Sequence, residues 1–160
     1  MSKKRKQRKR TSADVPAKGR LRDMADRLWS KAVAADWNHC CAVCGARSGI
    51  MNAHHLIPRQ HYKSRYDLQN GICLCVHDHQ FNPNWSPHQN AAGWLGWLRD
   101  HHQKLHAWYV RQMDSGEYQK FDEKLNAAYF ISQIQRLREY VEPEEFERVV
   151  GVRFGAWLEQ

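Results

Sequence analysis

The 160-residue sequence predicts a small α+β fold: short strands in a Cys- and His-rich middle, a helix before it and a helical part after it. Three observations point there. Apolar residues recur at helical spacing on both flanks. All ten His lie between His39 and His106, and all five Cys between Cys40 and Cys75. The middle, residues 40–90, is rich in Asn, Gly and Pro and has no helical period. With 42% hydrophobic and 26% charged residues, the chain is globular in composition, neither disordered nor collagen-like. No stretch approaches the ~18 consecutive apolar residues of a membrane span, and no apolar segment follows the basic N-terminus as a secretory signal requires.

Residues 1–20 read as a basic, disordered tail. They hold nine Lys/Arg against one acid, a net of +8, whereas residues 21–160 hold 16 of each sign. The whole formal excess sits in this tail, whose like charges repel and which has Pro16 and Gly19 as breakers. It serves either as a solubilising or targeting tail or as a nucleic-acid arm that releases counterions from phosphates. We favour the arm, with Lys3, Lys4, Arg5, Lys6, Arg8, Lys9 and Arg10 as its cations.

Residues 21–37 predict a packing helix, with Leu21, Met24, Leu28 and Ala32 or Val33 on one face and Trp29 and Trp37 flanking it. Strand-like pieces fall at residues 49–52 and 71–74. A short helix near residues 77–79 must stop before Pro83. From Ala91 the spacing of Trp94, Trp97, Leu98, His101, Leu105, Trp108 and Tyr109 predicts one helix, ended by Ser115-Gly116. A second helix is expected from about residue 117, carrying Tyr118, Phe121, Leu125, Ala128, Tyr129, Ile134, Leu137 and Val141. Pro143 closes it, and a short third helix follows over residues 144–150. Six of the 16 acids of residues 21–160 lie between Glu139 and Glu159, so this end is not expected against DNA phosphates.

An odd number of Cys without a secretion signal argues against a disulfide framework and for a reducing, cytoplasmic compartment. Cys41-Ala-Val-Cys44-Gly45 can chelate one tetrahedral ion across a tight turn. A second knuckle, Cys73-Leu-Cys75-Val-His77-Asp78-His79, follows about thirty residues later. Cys41, Cys44 and Cys75 supply three thiolates; the fourth ligand is Asp78, where a second CxxC would place it, with His77 as the competitor. Cys40 and Cys73 read as small buried residues. A redox CxxC is the alternative, disfavoured by the second knuckle.

His54 and His55 stand side by side at the end of an apolar piece, and neighbours on an extended segment point to opposite faces. One can then bind a metal while the other faces a water. Asn70-Gly71 is a turn signal whose Asn can hold another loop in place. His79 follows Cys75 by four positions.

Together these pieces resemble the HNH family of nucleases in its zinc-knuckle, ββα-metal form. The family pattern is CxxC, a D/H-H-hydrophobic-hydrophobic-Pro piece, Asn, then a second CxxC followed by His or Asn. Here it reads CAVC, HHLIP, LQNGICLC and VHDH, over residues 41–79 and loosely to His88 and Trp94. Asp78 departs from the final Cys, and His54 replaces the Asp of many members, as in the His-His pair of colicin nucleases. The resemblance implies a ββα-metal core with a zinc knuckle; with the leading helix this makes a nuclease core over residues 21–90, and the helical spacing beyond it a C-terminal extension over residues 91–160. It implies His55 as general base and Asn70 as the loop-fixing catalytic-site residue. It implies His54 and His79 as ligands of one divalent catalytic ion (Mg²⁺, Mn²⁺, Ni²⁺ or Zn²⁺), beside one structural Zn²⁺. Imidazoles favour Zn²⁺, Ni²⁺ or Mn²⁺ over Mg²⁺.

His88 is the candidate third ligand, or a plain loop histidine. Arg59, Lys63 and Arg65 are candidate phosphate clamps, or solvated loop charges. His102 and His106, at helical spacing, and the Trp stripe are read as structural. The expected activity is metal-dependent hydrolysis of DNA phosphodiesters by a phage or prophage protein acting in a bacterial cytoplasm, with a layout similar to phage NinG-like recombination nucleases. The alternatives are a zinc-stabilised non-catalytic nucleic-acid-binding module and a phage packaging or recombination accessory protein. DNA is the expected partner, with a homodimer or a packaging or recombination protein beside it, and no membrane.

Overall fold

The computed structural model describes residues 15–116 and 125–159. The tail cations Lys3, Lys4, Arg5, Lys6, Arg8, Lys9 and Arg10 lie outside the described residues, as do Tyr118 and Phe121. The elements are α1 (Lys18–Asp36), β1 (Met51–His55), β2 (Gly71–Cys75), a one-turn π-helix (His77–Phe81), α2 (Ala91–His101), α3 (Gln103–Ser115), α4 (Ala127–Leu137), α5 (Pro143–Val150) and α6 (Val152–Leu158). This is a mixed fold of helices and a small two-stranded sheet. Among the described residues no helix is long and apolar enough to cross a membrane.

The described residues divide into two compact units, one of residues 15–28 and 125–159, the other of residues 29–116. In the first, Leu21, Met24, Ala25 and Leu28 of α1 are buried, as are Phe130, Ile134, Leu137, Phe146, Phe154 and Leu158. Along α1, α4 and α6 these residues recur at three- or four-residue spacing, which sets the inward face.

The second unit carries the site. β1 and β2 pair antiparallel, with His54 opposite Ile72 and His55 opposite Gly71. Ile72 and Leu74 of β2 bury against Cys41, Trp94, Trp97 and Leu98, so α2 covers the sheet and the first knuckle together. Trp37, at the end of α1, donates its indole N–H to the Gly71 carbonyl at 3.2 Å. Gly71 is required by close approach: a Cβ there would lie 2.3 Å from Val33 Cγ2 and 3.0 Å from the Trp29 ring.

Several boundaries differ from expectation. α1 starts at Lys18, so Gly19 sits inside a helix rather than breaking a tail. β1 lies two residues later than expected and includes both His54 and His55; Gly49, at φ +86°, is the turn before it. The expected single helix from Ala91 breaks at His102, whose ring packs 5.1 Å from Trp37 and 5.0 Å from Trp97. Gly116 ends α3 in the left-handed conformation, as Ser115-Gly116 indicates. Pro143 opens α5 at its first turn, where a missing N–H costs nothing, and α6 beyond Gly151 was not anticipated.

Candidate metal and nuclease site

The two knuckles converge. Sγ of Cys41, Cys44 and Cys75 and a carboxylate oxygen of Asp78 all lie within 4.8 Å of one another. Cys44 Sγ and Cys75 Sγ are 3.8 Å apart, and Asp78 Oδ2 is 3.3 Å from both Cys41 and Cys75 Sγ. Metal–sulfur bonds of about 2.3 Å in a tetrahedron give sulfur–sulfur edges of about 3.8 Å, so the set fits a zinc-sized ion.

Desolvation pushes the Cys44 thiol up to about 12 and raises Cys75 too. Burial alone would raise the Asp78 carboxyl, but hydrogen bonds from Asn82 and the three thiols outweigh it and hold it below its ordinary value. A dication reverses the thiol penalty by stabilising thiolates. Asn82 donates to Asp78 Oδ1 at 2.8 Å and so orients the ligand. His77, the alternative fourth ligand, is outside this set: its side chain is largely exposed, and Nδ1 sits 3.2 Å from the other Asp78 oxygen. Cys73 is fully buried in line with its reading, whereas Cys40 is half-buried, its thiol 3.3 Å from the Gly45 carbonyl.

A second set forms on the other side of the π-turn. His54 Nδ1 and His88 Nε2 each lie 3.2 Å from His79 Nε2. One ring nitrogen cannot hydrogen-bond fully to two others, because a neutral imidazole nitrogen is either a donor or an acceptor. A cation accepting all three lone pairs resolves the arrangement, and bonds of about 2.0–2.1 Å imply nitrogen–nitrogen edges near 3.3 Å. Burial first, then His79 and His88 alongside, lowers His54 to about 3; burial first, then His88, lowers His79. Both shifts favour the neutral ring, the form that ligates a metal.

The one-turn π-helix explains how Asp78 and His79 serve different sets. It starts one residue past the end of β2, and consecutive side chains diverge, Asp78 toward the thiols and His79 toward His54. Such single π-turns are common at functional sites. Ser86, fully buried, donates its hydroxyl to the His79 carbonyl at 2.8 Å and accepts from the His88 N–H at 3.2 Å, fixing both histidines.

His55 points to the opposite face of β1 from His54. Its ring stacks on Trp29, centroids 3.6 Å apart and planes 14° off parallel. Its Nε2 donates to the Arg65 carbonyl at 2.9 Å. That bond selects the Nε2-protonated tautomer, so in the neutral ring Nδ1 is the atom able to take a proton. Trp29, read from sequence as core only, is itself buried and held by its indole N–H to the Asp67 carbonyl at 3.0 Å.

Asn70 is 0% exposed and bonds the loop of residues 57–64. Its Oδ1 accepts from Ile57 N at 2.7 Å, and its Nδ2 donates to the carbonyls of Ile57 at 3.0 Å and Ser64 at 3.1 Å. It is a positioning residue: it anchors both ends of the segment that presents the Arg65 carbonyl to His55. Arg65 is not displayed as a phosphate clamp. It is 6% exposed, donates to the Arg59 carbonyl at 2.6 Å and lies over the Tyr62 and Tyr66 rings. Arg59 and Lys63 are exposed. Trp94, Trp97 and Trp108 are buried core residues, and His102 is a packing residue at the α2–α3 break.

Residues 41–81 match the family model described as HNH endonuclease. No curated protein and no solved structure matches the chain. The likeness is therefore confined to the segment that holds both knuckles, β1, β2 and the π-helix, and it is to a nuclease family, whose substrate is nucleic acid.

Proposed function

We propose that this protein is a metal-dependent endonuclease that hydrolyses DNA phosphodiesters. The observation that carries the reading is the pairing of a three-imidazole cluster with an adjacent histidine whose tautomer is set for accepting a proton. His54, His79 and His88 would hold the catalytic ion, and Cys41, Cys44, Cys75 and Asp78 a structural Zn²⁺. When bound, a divalent ion supplies positive charge for the scissile phosphate and the leaving 3′ oxygen.

His55 takes a proton at Nδ1 from the attacking water, while stacking on Trp29 and the bond to Arg65 keep the ring from turning away. Asn70 keeps that carbonyl in place. Attack in line leaves 5′-phosphate and 3′-hydroxyl ends, as the family resemblance implies. Three nitrogen ligands favour Zn²⁺, Ni²⁺ or Mn²⁺ over Mg²⁺. Arg59 and Lys63 contact phosphates beside the cleaved bond. The free thiols suit a reducing cytoplasm. Phage or prophage origin belongs to this reading through the layout of basic tail, knuckle and helical part.

Supercoiled plasmid incubated with the protein is expected to be cut with added Mn²⁺, Ni²⁺ or Zn²⁺ and left intact with EDTA. Binding without cleavage under every metal condition would favour the binding-module alternative. Deleting residues 1–14 removes seven Lys/Arg and leaves α1 whole. DNA affinity is expected to drop and its dependence on salt to flatten, because fewer counterions are released. An unchanged salt slope would show that the tail does not touch DNA.

A further inference from the structure

The segment between His79 and His88 holds two large aromatic side chains in water. Phe81 is 61% exposed and Trp85 40%. Single exposed apolar residues are ordinary on protein surfaces. Two aromatics within five positions, on a backbone fixed in place beside a metal-binding cluster, are a different matter. The segment is clipped at its ends by the His79–His88 approach and by Gln89, whose side chain donates to the Gln80 carbonyl at 2.9 Å. Inside it, Asn82 Oδ1 accepts from the N–H groups of Asn84 at 3.0 Å and Trp85 at 3.2 Å. The Ser86 N–H returns to the Asn82 carbonyl at 3.1 Å, and the Asn82 N–H bonds the His77 carbonyl at 2.9 Å. Pro83 and Pro87 stiffen what remains. The two rings are therefore presented by an ordered backbone, which lowers the entropic cost of binding a partner.

Phe81 follows His79 by two residues and Trp85 precedes His88 by three. Chain geometry places their Cα atoms within about 7 Å and 11 Å of those ligands. A nucleic-acid strand rises about 3.4 Å per step, so bases a few nucleotides from a phosphate held at the cluster come within reach of both rings. Residues 79–99 contain no Asp or Glu, so nothing on this segment repels the backbone.

We propose that Phe81 and Trp85 form a stacking surface for an unstacked nucleobase next to the three-histidine cluster, so that DNA with a single-stranded or opened segment is bound in preference to continuous duplex. This rests on the nuclease reading above. Aromatic faces accept any base, and continuous duplex keeps its bases stacked on one another and out of reach. The surface thus selects DNA by structure and not by sequence.

The test is fluorescence anisotropy with a labelled single-stranded oligonucleotide and the matching duplex, on the full metal-loaded protein carrying His55→Ala as the parent for this measurement, which slows cleavage while binding is read; cleavage of both DNA forms by the protein with His55 intact is assayed separately on gels. The parent is expected to prefer the single strand. Trp85→Ala or Phe81→Ala is expected to reduce the ratio of single-strand to duplex affinity about 5-fold to 100-fold. Trp85→Phe keeps a ring and should retain most of the ratio, whereas Trp85→Leu, equally apolar, should not. Bound metal and melting temperature report that each variant is folded. A ratio unmoved by both alanine variants, or rescued equally by Leu and Phe, overturns the proposal and leaves the rings to a protein partner. If the preference follows the rings but no DNA form is cut, the stacking surface stands and the nuclease reading fails.

Discussion

His55→Ala is expected to cut plasmid DNA about 10²–10⁴-fold more slowly than the parent, the range that a positioned general base contributes. The variant should still bind the catalytic ion, because His55 is not among the three converging imidazoles. It should also fold, since the ring it loses stacks on a Trp29 that keeps its own hydrogen bond to Asp67. Single-turnover cleavage at saturating metal, with bound metal measured on the same sample, separates a lost base from a lost ligand. Equal rates for variant and parent would show that another group takes the proton.

Cys44→Ala should have the larger effect on folding. Cys44 is exposed, so shortening its side chain loses little packing, and any destabilisation reports on metal. Structural zinc contributes on the order of 10–16 kcal/mol in small zinc domains. The hydrophobic cluster around Trp94 and Trp97 supports part of this fold independently, so a smaller share is at stake here. Purified parent protein is expected to carry about one tightly held Zn²⁺ in the knuckle, and the variant to lose it together with several kcal/mol of stability. Zinc content by elemental analysis and the melting temperature both check this. An unchanged value of each would mean that the knuckle holds no ion.

Local chemistry made much of the site legible in the sequence. The spacing of Cys41, Cys44, Cys75 and Asp78 nominated one set, and the structure brings those four together while leaving His77 outside. Adjacent histidines on an extended piece were expected to diverge, and His54 and His55 do. What escaped the sequence depends on long-range packing. Trp29 lies 26 positions before His55 and looks like any stripe residue of an amphipathic helix; only the fold puts it under the imidazole. Arg65 reads as a surface cation because nothing nearby in sequence shows that Tyr62 and Tyr66 will enclose it. The break at His102 has no Gly or Pro to announce it and follows from packing against Trp37 and Trp97. Asn82 and Ser86 hold Asp78 and His79 in place without joining either cluster, and no spacing rule marks such residues.

The most direct measurement is the rate of plasmid nicking as a function of Mn²⁺ concentration, for the parent and for His54→Ala. The parent rate should rise and saturate. The variant, left with His79 and His88, should need far more metal and recover part of its activity at high concentration. Absence of cleavage by the parent with any divalent ion, or superimposable metal curves for the two proteins, would contradict the assignment of the three-imidazole cluster as the catalytic metal site.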